Sequence, residues 1–367
     1  MANATKSRVL IVDDSVVIRK ILSDTLSEDP AIQIVGTASD GRIALAKIAA
    51  STPDLVTLDV EMPVMNGLEA LAEIRKLYPK LPVIMFSTLT ERGAEATLDA
   101  LALGASDYAT KPSNIGSPAA AIERVREELI PKIKALCHRE PRFTAFAPVS
   151  PRPASFRAPI NRRIEIVAIG TSTGGPNALA QVIPAIPKDF PVPIVTVQHM
   201  PPIFTRLLAE RLCSDSQIHI EEARAGERLL PGRAWIAPGD FHMTVARKGF
   251  DAFLEINQGP PEHSCRPAVD VLFRSVAAAY GPSVLAVVMT GMGSDGVLGS
   301  QRIREAGGEV IIQDEASSVV WGMPGLTYAA GQTDGVYPLS LLGMEIVRRV
   351  TQSRAPRVAP VSGTYAV

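Results

Sequence analysis

The sequence predicts an α/β protein built from two doubly wound parallel sheets, the first five-stranded and the second interrupted by a β-rich insertion. Three observations predict it. Short β-branched runs alternate with amphipathic helical stretches in both halves of the chain, the pattern that builds parallel sheets with helices on both faces. A chain of 367 residues exceeds one ordinary domain. Between the halves, residues 136–163 carry six arginines, five prolines and no apolar period. Such a segment cannot build a core and reads as a connector.

In residues 1–135, five runs read as strands: Arg8–Val12, Ile32–Gly36, Leu55–Leu58, Val83–Phe86 and Asp107–Thr110. Helical patterns lie at Val17–Leu26, Gly41–Ala50 and Gly67–Leu77. In residues 164–352, strands are expected at Ile164–Ile169, Ile194–Gln198, Val284–Met289 and Val310–Gln313, with helices at Asn177–Ile186, Phe204–Leu212, Val269–Tyr280 and Val297–Ala306. The strand-rich, glycine-punctuated stretch from Ile218 to Ile256 reads as an insertion. Residues 353–367 repeat the proline- and arginine-containing character of the connector and are expected to fray.

Charge narrows the function. Residues 1–135 carry 15 Lys and Arg against 18 Asp and Glu, and residues 164–352 carry 14 against 19. Net positive charge is confined to the connector and the tail. That is the reverse of a nucleic-acid-binding domain, so no nucleic acid is expected as a partner. Cys137, Cys213 and Cys265 are scattered and odd in number, which favours a reducing compartment. The first residues lack a leader-like apolar run, and no stretch approaches the roughly 18 apolar residues of a membrane span. A cytoplasmic protein without membrane insertion is expected.

In a doubly wound sheet, ligands bind at the carboxyl ends of the strands. Asp13 and Asp14 follow the first predicted strand, Asp59 the third, Ser87 the fourth and Lys111 the fifth. Any one of these is more simply a turn residue, a cap or a solvated loop charge. Together they form a pocket where three carboxylates would share a hard divalent cation such as Mg²⁺, with a hydroxyl and an ammonium ready for phosphoryl oxygens. The surrounding motifs, VDDS, LDVEMPVMNG, MFST and YATKP, resemble those of the flavodoxin-like receiver domain of two-component response regulators. The resemblance implies that Asp59 accepts phosphate from a sensor histidine kinase, and that Asp14 and Asp59 hold Mg²⁺ with help from Asp13. It further implies that Lys111 contacts the phosphoryl group while Ser87 and Tyr108 sense it.

The second half carries three glycine-rich turns, each after a predicted strand. IEIVAIGTSTGGPNAL contains Gly170-x-Ser172-x-Gly174, which can lift a serine hydroxyl clear of a sheet at a strand-to-helix elbow. PIVTVQHMPP ends in His199 on the neighbouring strand end, where an imidazole could accept the proton of Ser172. The other four histidines show no such placement and no metal-ligand spacing. AVVMTGMGSDGVLG also fits a dinucleotide fingerprint, with Gly291, Gly293 and Gly296 followed by Asp314 about 20 residues on. Against that reading, Asp295 would oppose a pyrophosphate there; it could instead orient His199, cap the helix starting at Val297, or do both.

With AGERLLPGRAWIAPGD, QGPPEHSCRPAVDVLF and QDEASSVVWGMPG, these segments resemble the catalytic domain of the chemotaxis protein-glutamate methylesterases, the CheB family. The resemblance implies Ser172 as nucleophile, His199 as general base and acid, Asp295 as orienting carboxylate, Met292 N–H as an oxyanion donor and Thr173 as a lining residue. It implies hydrolysis of glutamyl methyl esters on chemoreceptor cytoplasmic helices with release of methanol, and deamidation of glutamines, with no cofactor for the hydrolysis. Control is expected by occlusion, the receiver covering the site until Asp59 is phosphorylated. Thr171 and Ser294 stand where the family commonly has alanine and asparagine. Two other readings remain: a dinucleotide enzyme using the Gly291–Gly296 turn, and a receiver-driven interaction protein of another signalling pathway.

Overall fold

The computed structural model describes residues 6–111, 122–137 and 163–354. The connector from 138 to 162 and the tail from 355 onward lie outside these.

Strands β1 (Ser7–Val12), β2 (Ile32–Ala38), β3 (Leu55–Asp59), β4 (Val83–Ser87) and β5 (Asp107–Thr110) form one parallel sheet in the order β2-β1-β3-β4-β5. Helices α1 (Val16–Ser27), α2 (Gly41–Ser51), α3 (Gly67–Leu77) and α4 (Glu91–Ala102) connect them. Each start is written locally. Ser15, Asp40 and Thr90 accept backbone N–H groups, and Asn66 with Glu69 makes a reciprocal capping box. β3 and β4 are buried throughout, as expected of strands covered on both faces. A π-helical segment, Val125–Leu129, leads into α5 (Ile130–Cys137).

The second sheet has seven strands: β6 (Ile166–Thr171), β7 (Ile194–Gln198), β8 (His219–Glu222), β9 (Arg233–Ile236), β12 (Val284–Val288), β13 (Glu309–Gln313) and β14 (Gly335–Tyr337). Their order is β14-β13-β12-β6-β7-β9-β8, with every pairing parallel. One expectation needs correction. The stretch from Ile218 to Ile256 is only partly an insertion, because β8 and β9 extend the main sheet beyond β7. Trp235, fully buried on β9, anchors that edge in the core. Only the antiparallel hairpin β10 (His242–Lys248) and β11 (Asp251–Asn257) stands apart.

The helices are α6 (Gly175–Val182), α7 (Phe204–Ser214), α8 (Val269–Tyr280), α9 (Val297–Glu305), α10 (Met323–Ala329) and α11 (Leu339–Gln352). The expected fraying does not begin at Ser353. Its hydroxyl accepts Ile164 N–H at 3.0 Å, and Arg354 donates to Ile164 O at 2.9 Å. Among the described residues no helix is long and apolar enough to cross a membrane.

Strand order places the functional centre. β6 has β7 on one side and β12 on the other, so chain order reverses about β6 and a crevice opens at its carboxyl end.

Candidate active site

The acidic pocket assembles at the strand ends of the first sheet. Lys111 Nζ lies 2.9 Å from Asp13 Oδ2 and 2.6 Å from Asp59 Oδ2. Asp13 and Asp59 are buried and Asp14 is exposed, yet one oxygen from each lies within 4.8 Å of the others. Burial, and then repulsion from Asp13, push the Asp59 carboxyl up to about 6 despite Lys111. Burial acts to lower the Lys111 ammonium, but Asp59 and Asp13 reverse this and raise it. Three carboxylates facing one ammonium make an all-oxygen donor set with uncompensated charge, which fits Mg²⁺.

Ser87 Oγ donates to Gly93 O at 3.0 Å. Tyr108 sits elsewhere, at the boundary with the second domain: its ring stacks on Phe204 of α7 with centroids 4.9 Å apart and planes 10° from parallel.

In the second sheet, Ser172 follows β6, His199 follows β7, and the turn carrying Met292 and Asp295 follows β12. Gly291 allows the close approach. A side chain there would meet Met323 Sδ at 2.3 Å and Ser172 Cβ at 2.9 Å. Gly174 adopts φ 75°, the left-handed turn that launches α6 immediately after Ser172. His199 Nε2 meets Asp295 Oδ2 at 2.8 Å.

Asp295 is buried and fully engaged: Oδ2 also accepts Val269 N–H at 2.6 Å, while Oδ1 accepts Asp270 N–H at 2.8 Å and Gly296 N–H at 2.9 Å. It therefore caps α8 across the fold. The alternative expectation of a cap on the helix starting at Val297 is not met, since α9 has no side-chain cap. The dinucleotide reading loses ground for the same reason, because a buried carboxylate occupies the turn. Asp314, its supposed ribose ligand, is spent on Ser317 within its own loop.

Residues 167–346 match the CheB methylesterase family and residues 9–123 match the response regulator receiver domain. A protein-glutamate methylesterase/protein-glutamine glutaminase of Trichodesmium erythraeum is 54% identical over 350 residues, spanning 94% of this chain and 99% of its own length. The enzyme of the same name from a Nocardioides species is 52% identical, spanning 96% of this chain and 98% of its own. The chain belongs to the CheB methylesterase family. The CheB methylesterase catalytic domain of Thermotoga maritima, known from a crystal structure, is 42% identical and superposes with a TM-score of 0.50, covering 51% of this chain and 99% of that one.

Membership gives meaning to the contacts between the two domains. Thr173, next to Ser172, donates its hydroxyl to Asp107 Oδ2 of the receiver at 2.9 Å, a buried bond. Asn177 donates to Leu101 O at 2.8 Å, and Arg211 pairs with Asp99 at 2.8 Å. Met292 and Val320 pack against the apolar cluster of the receiver. Met292 N–H makes no hydrogen bond among the described residues.

Sequence reasoning missed several residues here. It gave His263 no placement near the site, but His263 Nε2 lies 2.8 Å from Asp270 Oδ2 and 3.9 Å from Asp295 Oδ1. Ser294 Oγ faces the other ring nitrogen of His263 at 3.4 Å. Cys265 and the receiver residues Asp107 and Lys132 also lie at the centre of the arrangement. Local spacing holds no signal for them, because they arrive from distant segments.

Proposed function

We propose that this chain is a phosphorylation-activated serine hydrolase that demethylates glutamate γ-methyl esters, and deamidates glutamines, on the cytoplasmic helices of chemoreceptors. The observation that carries this reading is the His199–Asp295 pair beside Ser172 at one crevice, with Asp107 of the receiver bonded to the residue after the serine. Ser172 Oγ attacks the ester carbonyl as His199 takes its proton. Asp295 stabilises the imidazolium, and the free N–H of Met292 is available to the oxyanion. His199 gives the proton to the leaving ester oxygen as its bond to the acyl carbon breaks, releasing methanol, or to the leaving amide nitrogen, releasing ammonia, and water then hydrolyses the acyl-serine.

Asp59 is the phosphate acceptor in this reading, supplied by a sensor histidine kinase. Asp13, Asp14 and Asp59 would hold Mg²⁺, which supplies charge compensation for the phosphoryl oxygens. Lys111, already 2.6 Å from Asp59, is placed to pair with the phosphoryl group. Ser87 and Tyr108 report the change, Tyr108 directly to α7 through Phe204. The domain limits that follow are 1–135 for the receiver and 164–352 for the catalytic unit.

In the docked arrangement Thr173 is occupied by Asp107 and no hydrogen bond joins Ser172 Oγ to His199. Low activity without phosphate follows. The test measures methanol release from methylated receptor membranes with and without a small-molecule phosphodonor. A several-fold rise with the donor is expected in the native chain and none in Asp59→Asn, which should fold normally. Equal stimulation of both proteins would sink the assignment of Asp59, and no methanol from either would sink the esterase.

A further inference from the structure

Both ring nitrogens of His199 are engaged, and neither by Ser172. Nε2 meets Asp295, and Nδ1 faces Cys265 Sγ at 3.5 Å. A serine needs one of them before it can lose its proton. Cys265 is held in place from behind. Its backbone exchanges two hydrogen bonds with Glu262, at 2.8 and 3.1 Å, and Glu262 is clamped by Arg274 at 2.9 and 2.5 Å. The intervening His263 and Ser264 adopt φ 52° and 58°, a left-handed conformation unusual for two consecutive non-glycine residues. This loop fixes the sulfur against the imidazole.

The receiver reaches the same point. Lys132 of α5 is half-buried, 3.3 Å from Asp107 Oδ2 and 3.8 Å from Glu128 Oε1. Burial acts to lower its pKa, but Asp107, Glu128 and then the Cys265 sulfur raise it. From the catalytic domain, Asp295 faces His199 directly, with His263 and Asp270 behind Asp295. Burial would lower the His199 pKa. The Cys265 sulfur and the Asp295 carboxylate reverse this and push it up to about 10.

We propose that Cys265 is a positioning residue that holds His199 away from Ser172 while the receiver is docked, and that Lys132, which steadies Asp107 against Thr173, is the receiver's contribution to that hold. With Nδ1 turned to the sulfur and Nε2 to Asp295, the imidazole offers Ser172 no nitrogen that can act as a base. Departure of the receiver takes Asp107, with its partner Lys132, away from Thr173, which loosens the turn carrying Ser172 and lets Nδ1 exchange the sulfur for Ser172 Oγ. The inhibition is then chemical as well as steric, and it rests on the hydrolase reading given above.

The experiment uses the full chain with Cys265→Ala, Cys265→Ser, which keeps the side-chain volume, and Lys132→Met. Without phosphodonor, each variant should release methanol several-fold faster than the native protein, with the acid limb of the pH–rate profile moved to lower pH. In parallel, an NMR titration of the His199 ring, made in a Ser172→Ala background, should show its midpoint falling by about one pH unit or more in the Cys265 variants. An unmoved midpoint would overturn the proposal. So would a moved midpoint with unchanged basal turnover, because the hold would then not govern the reaction. Failure of the hydrolase reading looks different: no protein releases methanol even with phosphodonor, while the titration still reports whether Cys265 and His199 are coupled.

Discussion

Ser172→Ala is expected to abolish methanol release, a loss of about 100,000-fold or more, with fold and phosphorylation unchanged. The hydroxyl carries the whole effect because the residue's structural tasks belong to its backbone. Ser172 N–H donates to Thr290 O at 3.0 Å, and its carbonyl accepts Gly175 N–H at 2.7 Å and Gln198 Nε2 at 3.0 Å. Alanine keeps all three. Oγ makes no hydrogen bond among the described residues, so its removal orphans no partner and stability should stay within about 0.5 kcal/mol. Methanol release, thermal melting and labelling of Asp59 measured on one preparation would check this. Ester turnover above about 1% of native would move the nucleophile elsewhere.

The first sheet was legible because its signals are local. Five β-branched runs, capped helix starts and charged residues at strand ends all lie within a few positions of one another, and Gly67–Leu77 appears at its predicted limits. α4 is harder to read, although Thr90 caps it, because its buried face is mostly small residues, Gly93, Ala94, Thr97 and Ala100, with Leu98 and Leu101 its large apolar ones. β8 and β9 misled for a different reason. RAWI pairs in parallel with β7, across α7 and β8, and HIEE joins the sheet only through RAWI; periodicity does not reveal such partners. Ser172, His199 and Asp295 could be placed together from sequence because each lies just beyond a strand end, so topology alone brings them to one edge. Cys265, His263, Asp107 and Lys132 reach that edge through loop conformation or domain docking. The left-handed backbone at His263 and Ser264 follows from no side-chain preference, and the Thr173–Asp107 bond spans two separately folded sheets.

Asp295→Asn should be nearly as damaging as loss of the serine, and should cost stability as well. An asparagine offers one acceptor oxygen and an NH₂ group, where the native carboxylate accepts three backbone N–H groups and the His199 ring. Either the cap on α8 or the imidazole must then face a donor with a donor. Loss of imidazolium stabilisation and tautomer control predicts a fall in turnover of about 10,000-fold, and the unsatisfied N–H groups about 1–3 kcal/mol of stability. The pH dependence separates charge from shape. Burial would raise the Asp295 carboxyl, but the bond and charge of His199, then the N–H groups of Val269 and Asp270, bring it below its ordinary value of 3.8. Its contribution is therefore full above 3.8 and lost as pH falls through the folded value. His199 bounds the other side. Raised from 6.5 to about 10, it contributes fully below 6.5 and loses that contribution as pH rises toward 10. Because the two groups share one contact, the stability gap between native and variant should plateau in weakly acidic solution and shrink in both directions. A gap that stayed flat from about pH 3 to about pH 9 would mean that Asp295 contributes shape alone, and the imidazolium would need another partner.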